Sequence, residues 1–151
     1  MTEIIKPIVI PKVWGQEEVI VNGSYCQKRM TLHRGYRCSI HYHRDKDETF
    51  TVESGFMLLE IEDEPIFPRS GKEIGTLKQI LLKPGDAIHI RPFTAHRFTG
   101  LEEKTIFYEA STHDEANDSR RITESEKVPA HEFVELLEKY CPRGVIIDVP
   151  V

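Results

Sequence analysis

The segment from Gly35 to Gly55 contains three side chains that can bind a metal ion: His41, His43 and Glu48. Residues two positions apart in an extended strand project from the same face, so the two imidazoles would point in one direction. Glu48 stands where a second β-prone run begins, and a hairpin would return its carboxylate to the two histidines. Two imidazole nitrogens and a carboxylate oxygen suit Zn, Mn, Fe, Ni or Co and leave coordination positions open for a substrate.

A second segment, Lys83 to Phe98, reads KPGDAIHIRPFTAHRF and supplies a further candidate ligand, His96. It opens with a Pro-Gly-Asp turn and continues into a short β-prone run. Three imidazoles and one carboxylate together satisfy a divalent cation and leave one or two positions for water or substrate. His89 lies out of phase with its apolar neighbours and is not expected to be a ligand.

These two segments resemble the two sequence motifs of the cupin superfamily. The first motif is a Gly, five residues, His-x-His, three or four residues, a Glu, six residues and a Gly, and this chain meets every spacing. The second is a Pro-x-Gly turn followed downstream by one histidine; Gly100 stands here where an Asn often follows. The matching positions are Gly35, His41, His43, Glu48, Gly55, Pro84, Asp86 and His96. The resemblance implies that the three histidines and the glutamate converge on one divalent transition metal.

The resemblance also implies an all-β fold, a cupin-type jelly-roll barrel with one C-terminal helix. Short β-prone runs separated by Gly, Pro, Asn and Asp agree with it and predict a barrel core over about residues 13–110. The predicted strands are Glu17–Val21, Tyr25–Leu32, Arg37–His41, Glu48–Val52, Phe56–Glu62, Leu77–Leu82, Ala87–Ile90, His96–Phe98 and Thr105–Ala110. Residues Glu62–Thr76, which contain two prolines, are predicted to form an irregular excursion.

The remaining residues, 111–151, are predicted to form a loop and a helix within the same single domain of 151 residues. Apolar residues in Pro129–Tyr140 recur at i, i+3, i+4 and i+7, the pattern of a helix packed on the outside of the barrel. The apolar tail Val145–Val151 is predicted to pair as an edge strand. Because cupin barrels commonly pair through edge strands, we expect a homodimer.

Composition argues against several classes of partner. The net charge is −5 and no Lys/Arg cluster forms a phosphate track, which argues against nucleic acid. No apolar run approaches a membrane span, and the N-terminus lacks a signal-peptide core. Three widely spaced cysteines form neither a disulfide framework nor a zinc knuckle. We therefore expect a cytoplasmic protein that acts on a small molecule.

Residues flanking the motifs resemble cupins that handle sugars and sugar phosphates, including mannose-6-phosphate isomerase-like and D-lyxose isomerase-type proteins. The resemblance rests on a Trp-Gly and a Tyr-x-x-Lys before the first motif, and on FYEASTHDEANDSRRI after the barrel. It implies a metal-dependent sugar or sugar-phosphate isomerase or epimerase. Such isomerisation moves a proton between adjacent carbons through an enediol, or shifts a hydride with the help of the metal; proton transfer needs a base beside the metal.

Candidate residues for this chemistry follow from that resemblance and from strand parity. Glu109 is the candidate base, and Lys28 would hold a hydroxyl, carboxylate or phosphate. Arg37 shares parity with His41 and would also bind substrate. The loop residues Asp118, Arg120 and Arg121 would face the pocket, an arginine there would clamp a phosphate, and Trp14 would stack on the sugar.

Each candidate has an alternative interpretation. Glu109 could be a solvated strand-end carboxylate, Lys28 and Arg37 could be surface charges, and the run 114–121 could be a solvated loop. At the level of function, the same ligands suit an Fe(II)-dependent dioxygenase, and the barrel alone suits a non-catalytic sugar-binding module of a sugar-nucleotide pathway. An apolar pocket would favour the dioxygenase, whereas a polar pocket would favour the isomerase.

Overall fold

The computed structural model describes residues 2–141, which form two antiparallel β-sheets, an α-helix and a short 3-10 helix. The strands are β1 (Ile8–Lys12), β2 (Gly15–Asn22), β3 (Cys26–His33), β4 (Tyr36–Arg37), β5 (His41–His43), β6 (Glu48–Ser54), β7 (Met57–Glu62), β8 (Leu77–Leu82), β9 (Ala87–Ile90), β10 (His96–Gly100), β11 (Lys104–Ser111), β12 (Ser119–Arg121) and β13 (Glu126–Lys127). The helix α1 spans Ala130–Tyr140 and the 3-10 helix spans Ala116–Asp118. The predicted edge strand Val145–Val151 lies outside the described residues.

The two sheets bring the candidate ligands together from different parts of the chain. One sheet has the order β1-β2-β3-β11-β6-β9 and the other β12-β5-β10-β4-β13, with β7 and β8 continuing from β10. Strands β5 and β10, in the second sheet, carry the candidate histidine ligands, whereas β6, in the first sheet, begins with Glu48. Because the sheets face each other, side chains on their inner faces meet at one end of the core.

An aromatic cluster fills the core beneath that end. Phe50, Phe98 and Phe107 lie with ring centroids 5.1 to 6.1 Å apart, and all are at most 4% exposed. The ring of Phe50 also lies 6.1 Å from that of His96. The imidazoles therefore rest directly on close-packed apolar side chains, which restrict their movement and exclude water from one side.

The position of Trp14, at the corner between β1 and β2, depends on a close contact between two backbone segments. A Cβ on Gly15 would lie 1.9 Å from the carbonyl oxygen of Thr31, so only glycine fits between β2 and β3 there. The N–H of His33 donates to the carbonyl of Trp14 over 2.9 Å. This corner turns the indole inward, where it is 4% exposed and packs edge-on against Phe98 at 4.9 Å.

The predicted helix is present, and it packs on the outside of the barrel through Phe133 and Leu137. Leu77–Leu82 and Ala87–Ile90 are present with the predicted bounds, and the other predicted strands are present with shifted ends, except that Arg37–His41 is interrupted. That segment forms the ends of two short strands, β4 and β5, and residues 38–40 between them are not in a strand. Helix α1, among the described residues, is neither long nor apolar enough to cross a membrane.

Three strands were not predicted, and they extend the sheets beyond residues 13–110. Strand β1 contains Pro11, which is tolerated because β1 lies at a sheet edge. Strands β12 and β13 are short and polar, so hydrophobic alternation gives no signal for them.

Candidate functional site

Three imidazoles converge at one end of the barrel core. His41 and His43 lie on β5, and His96 on β10 lies directly across from His41 in the strand register. Each ring offers one nitrogen, and these three nitrogens all lie within 4.8 Å of one another. The pairing of β5 with β10 thus assembles a possible three-histidine metal site.

Backbone carbonyls orient two of these rings. Nδ1 of His41 donates to the carbonyl of Ser39 over 2.8 Å, and Nδ1 of His96 donates to the carbonyl of Thr94 over 2.9 Å. Because a carbonyl can only accept, the proton resides on Nδ1 and the lone pair on Nε2. The same kind of hydrogen bond holds imidazoles that bind metals in other proteins.

Glu48 lies beside this group and is 2% exposed. Its Oε2 lies 3.6 Å from Nε2 of His43 and 3.4 Å from Nε2 of His96. Both carboxylate oxygens of Glu48 and Nε2 of His96 are buried without a hydrogen-bond partner among the described residues. Such atoms are costly to bury unsatisfied, and a cation between them would satisfy all three. The donor set therefore fits a divalent metal.

Burial controls the protonation of these four groups. Desolvation is the main cause that lowers the pKa of His41 to about 3 and that of His96 to about 4, and it lowers the pKa of His43 further. Burial, followed by the charge of Glu109, raises the pKa of Glu48 well above its usual value. The imidazoles are thus neutral, as a metal requires, and Glu48 needs a nearby cation to remain charged.

A network of buried charges adjoins the imidazoles. Nζ of Lys46 donates to Oε2 of Glu109 over 3.0 Å and to Oδ1 of Asp114 over 3.1 Å. Nζ of Lys28 donates to Oδ2 of Asp114 over 2.9 Å and to Oε1 of Glu17 over 3.2 Å. Asp114 therefore joins the two lysines into one network. Lys28, Lys46 and Glu109 are each at most 5% exposed.

One cavity of about 590 Å³, which we call the metal cavity after the candidate ligands His41, His43 and Glu48 that line it, connects them with this network. Its volume lies within the range of small-molecule sites. The lining includes His41, His43, Glu48, Lys28, Lys46, Glu109, Asp114, Trp14, Phe50, Phe98 and Arg121. The cavity thus combines candidate metal ligands, charged groups of both signs and aromatic surface.

Sequence comparison finds relatives of this chain. No family model matches it. The D-lyxose/D-mannose isomerase of Thermosediminibacter oceani is 32% identical over 104 residues, which cover 60% of this chain and 58% of that protein. The D-lyxose ketol-isomerase of Cohnella laeviribosi is 31% identical over 123 residues, which cover 72% of this chain and 68% of that protein. The chain belongs to the D-lyxose isomerase family.

Structural comparison supports the same fold. The capsular polysaccharide assembling protein CapF from Staphylococcus aureus superimposes with a TM-score of 0.63 at 12% identity, covering 78% of this chain and 32% of that one. The predicted all-β cupin fold with one C-terminal helix is confirmed. This member of the D-lyxose isomerase family spans 58% of the length of the first relative and 68% of the second.

In this family member the structure gathers most of the predicted site residues in the metal cavity. Lys28, Glu109, Trp14 and Arg121 all line it together with His41, His43 and Glu48. Arg121 lies at the solvent-exposed side, with its side chain 59% exposed and 3.5 Å from Glu124.

The placement predicted for Arg37 is wrong. Its guanidinium hydrogen-bonds to Glu126 and Glu132, the latter on α1 at 2.7 Å, and it does not line the cavity. The strand parity that linked Arg37 to His41 fails because the chain between them is not in a strand. Arg37 instead connects α1 and β13 to the barrel through these hydrogen bonds.

The two neighbouring arginines of β12 point to opposite sides of the sheet. Arg121 lies across from His41 and shares its inner face, whereas Arg120 lies across from Tyr42 on the outer face. Arg120 lines a separate cleft and not the metal cavity. The prediction that either arginine could reach the substrate is therefore corrected for Arg120.

Asp118 organises the turn between two candidate ligands. Its Oδ1 accepts the backbone N–H groups of Arg44 and Asp45, both at 2.9 Å, and its Oδ2 accepts that of Lys46 at 3.0 Å. Oδ2 also lies 3.7 Å from Nδ1 of His43. Asp118 thus acts on the site by holding the turn that follows His43.

Sequence reasoning missed Lys46, Glu17 and Asp114. Lys46 lies in the turn between β5 and β6, where strand alternation does not apply, so its position in the chain gave no signal. Lys28 donates hydrogen bonds to Asp114, 86 positions away in the chain, and to Glu17, 11 positions away. No local sequence pattern indicates either contact.

Proposed function

We propose that this chain is a metal-dependent aldose–ketose isomerase that acts on a sugar or a sugar phosphate. The observation that carries the proposal is the position of the buried Lys46–Glu109 pair in the same cavity as His41, His43 and Glu48. Membership of the D-lyxose isomerase family supports a sugar substrate.

His41, His43, Glu48 and His96 would hold the metal, for which Zn, Mn, Fe, Ni and Co are the candidates. When bound, such an ion supplies Lewis-acid polarisation of the substrate's carbonyl and hydroxyl oxygens. The unsatisfied oxygens of Glu48 and the free Nε2 of His96 support this assignment.

Glu109 would transfer the proton between adjacent sugar carbons. Its Oε2 accepts hydrogen bonds from Lys46 and from Oγ of Ser111, both at 3.0 Å. Because these donors occupy a single oxygen, they fix the carboxylate plane while its other oxygen can take a proton from carbon. A base held in this way can serve both carbons through an enediol.

Lys46 and Lys28 would bind substrate oxygens as ammonium groups. Burial alone would lower the pKa of Lys46, but Glu48, Glu109 and Asp114 raise it above its usual value. The pKa of Lys28 is raised in the same way by Glu109 and Glu17 against its burial. A fixed positive charge stabilises the negative oxygen that develops during enolisation.

The polar lining of the cavity favours an isomerase over a dioxygenase. A cupin that oxidises a thiol or an aromatic substrate needs apolar walls, whereas Lys28, Lys46 and Glu109 place three buried ionisable groups here. A non-catalytic module would have no need for a buried base, so the same groups argue against that function.

The decisive experiment is an aldose–ketose conversion assay on metal-stripped protein reloaded with Mn, Co, Ni, Zn or Fe(II). D-Lyxose and D-mannose are tested first, followed by other pentoses, hexoses and their phosphates. We expect conversion of at least one aldose with one metal, and its loss in Glu109→Gln. Oxygen uptake on an organic substrate with Fe(II), without any sugar conversion, would show that the proposal is wrong.

A further inference from the structure

A second cavity of about 480 Å³ lies on the outer face of the sheet that carries the imidazoles. Tyr42 stands between His41 and His43 on β5 and therefore projects away from the metal cavity. Arg120, its cross-strand partner on β12, lines the same cavity. We call this cavity the outer cleft, and define it by Tyr42, Arg44, Phe67, Arg69, Phe93 and Arg120. None of these six residues lines the metal cavity.

Three aromatic rings form one part of the outer cleft. The rings of Tyr42 and Phe93 are nearly parallel, with centroids 6.2 Å apart and an interplanar angle of 26°. Phe67 meets Phe93 edge-on at 4.9 Å. Phe67 is 75% exposed, an unfavourable state for so large an apolar side chain. A flat ring stacked there would remove that surface from water.

The backbone of Phe93 is held in an unusual conformation that directs its ring into the cleft. Its φ is 64°, a region that bulky residues rarely adopt. The N–H donates to the carbonyl of His43 over 2.7 Å, and its carbonyl accepts from the N–H of Ile66 and from Arg69, both at 3.0 Å. Backbone strain that is maintained by surrounding hydrogen bonds, as at Phe93, is often found at ligand-binding positions.

Three arginines form the other part of the cleft. Arg69 is fully buried, pairs with Glu62 and lies 4.7 Å from the ring centroid of Tyr42; its Nε is buried without a partner among the described residues. Arg44 and Arg120 are exposed, and neither forms an ion pair within the part of the chain that the structure describes. Among the described residues, the guanidinium of Arg120 donates to the carbonyl of Asn117 alone, over 2.6 Å.

The charge of the outer cleft is therefore opposite to that of the whole chain. Glu62 compensates Arg69, which leaves Arg44 and Arg120 as two uncompensated cations in a protein of net charge −5. Guanidinium groups bind phosphates and carboxylates through paired hydrogen bonds and also stack on aromatic rings. A ligand that presents a flat ring and an anion at once would use both parts of the cleft.

We propose that the outer cleft binds a small ligand in which an aromatic ring is joined to an anionic group, as in a nucleoside phosphate. The ring stacks at Phe67 and Phe93, and the anion lies between Arg44 and Arg120. This proposal does not depend on the isomerase activity, because the cleft and the metal cavity lie on opposite faces of one sheet.

The test is calorimetric titration of the folded chain with AMP, UMP, adenosine, 4-hydroxybenzoate and inorganic phosphate. We expect AMP or UMP to bind, and adenosine and phosphate alone to bind at least tenfold more weakly, because each lacks one half of the recognised chemistry. Binding of 4-hydroxybenzoate in place of the nucleotides would assign the same ring-and-anion site to an aromatic acid. Equal affinity for phosphate alone, or no binding of any ring-bearing anion, would overturn the proposal.

Three variants locate the binding. Loss of a charge-assisted hydrogen bond typically weakens binding roughly tenfold, so we expect that effect from Arg120→Gln. Phe67→Ala removes an exposed ring without opening the core and should weaken binding comparably. Arg121→Gln is the matched control, since it removes the same charge from the next residue on the opposite face. A loss of affinity in Arg121→Gln that is absent in Arg120→Gln would place the ligand in the metal cavity and refute the outer site.

Discussion

Nζ of Lys46 lies 3.0 Å from Oε2 of Glu109, although the two residues are 63 positions apart in the chain. Their side chains are only 4% and 3% exposed. A buried ion pair of this kind contributes little net stability, but removal of one partner leaves the other charge uncompensated. The pair therefore links the turn after His43 to the middle of the first sheet and keeps two charged groups inside the cavity.

Glu109→Gln should abolish proton transfer and spare the metal. The amide keeps the shape of the side chain but cannot accept a proton, so we expect kcat to fall by roughly 10²–10⁴-fold. Metal content, measured by elemental analysis, should stay near that of the unaltered protein. Glu103→Gln, in the exposed loop before β11, is the control and should retain activity. An equal loss of metal and activity in Glu109→Gln would show that Glu109 has a structural role instead.

His96→Ala should remove the metal. Loss of a supporting partner alone typically weakens metal affinity by about 10–100-fold, so loss of a ligand should cost at least as much. Elemental analysis and the rise in Tm on adding metal report the effect. His89→Ala is the matched control, because that side chain is 51% exposed and pairs with Asp47. Unchanged metal content in His96→Ala would rule out the four-ligand site.

Asp118→Ala should destabilise the turn that follows His43. The carboxylate, 4% exposed, accepts three backbone N–H groups, of which that of Arg44 also lies 3.4 Å from the carbonyl of Asp118. We expect the free energy of unfolding to fall by about 1–3 kcal/mol, chiefly the cost of leaving the buried N–H of Lys46 unsatisfied. Urea denaturation measures it, and Asp63→Ala, whose side chain is 73% exposed, should have little effect. A substitution at Asp118 without effect on stability or metal affinity would contradict the positioning role.

Acid should destabilise the metal-free protein through its buried histidines, while the raised pKa of Glu48 partly opposes this because the folded state binds that proton first. The folded pKa values of His41 and His96, about 3 and 4, lie below the usual value of 6.5, so the unfolded chain takes up protons first as the pH falls. The folded state therefore keeps its full stability above about pH 6.5. As the pH falls from there toward 4, the free energy of unfolding decreases by about 1.4 kcal/mol per pH unit for each titrating histidine. Urea midpoints at several pH values measure this, and a His41→Gln/His96→Gln double variant should show a shallower slope. An identical slope in both proteins would refute the assignment.

Strand β1 should mediate the expected homodimer. Among the described strands it pairs with β2 alone, and Ile8 and Val9 are 66% and 54% exposed. A second copy paired along that edge would cover these side chains, and Ile8 also lines the metal cavity. Val9→Lys should then give a monomer in light scattering, whereas Val134→Lys on α1 should not. A monomeric unaltered protein at micromolar concentration would contradict the expectation.

The sequence predicted the candidate ligands well because their positions depend on local alternation and on motif spacing. His41 and His43 share a face because they lie two residues apart on β5, and the turn that follows returns Glu48 to them. Lys46 lies in that turn and outside both strands, so the same alternation does not place it. Arg37 shows the limit of such reasoning, since a break of three residues between β4 and β5 removes the parity on which its placement depended.

Contacts between distant segments could not be predicted in this way. Asp114 reaches Lys28 and Lys46 from a loop, and Asp118 reaches the turn after His43 through 72 to 74 intervening positions. Strand β12 has no apolar alternation, so the assignment of Arg121 to the metal cavity required its register with β5. Tertiary pairing, and not local pattern, determines these positions.

Neighbouring residues of β5 and β12 point to opposite faces of one sheet, which links the two cavities physically. Two adjacent residues of β12, Arg120 and Arg121, face different cavities, and Tyr42 is covalently joined to both His41 and His43. A ligand that shifts these short strands on one face would therefore also move residues of the other cavity. If the proposed outer ligand raised the affinity for a sugar tenfold, thermodynamic reciprocity would require the sugar to raise the affinity for that ligand tenfold. The two proposed sites would then respond to each other's ligand through the strands that they share.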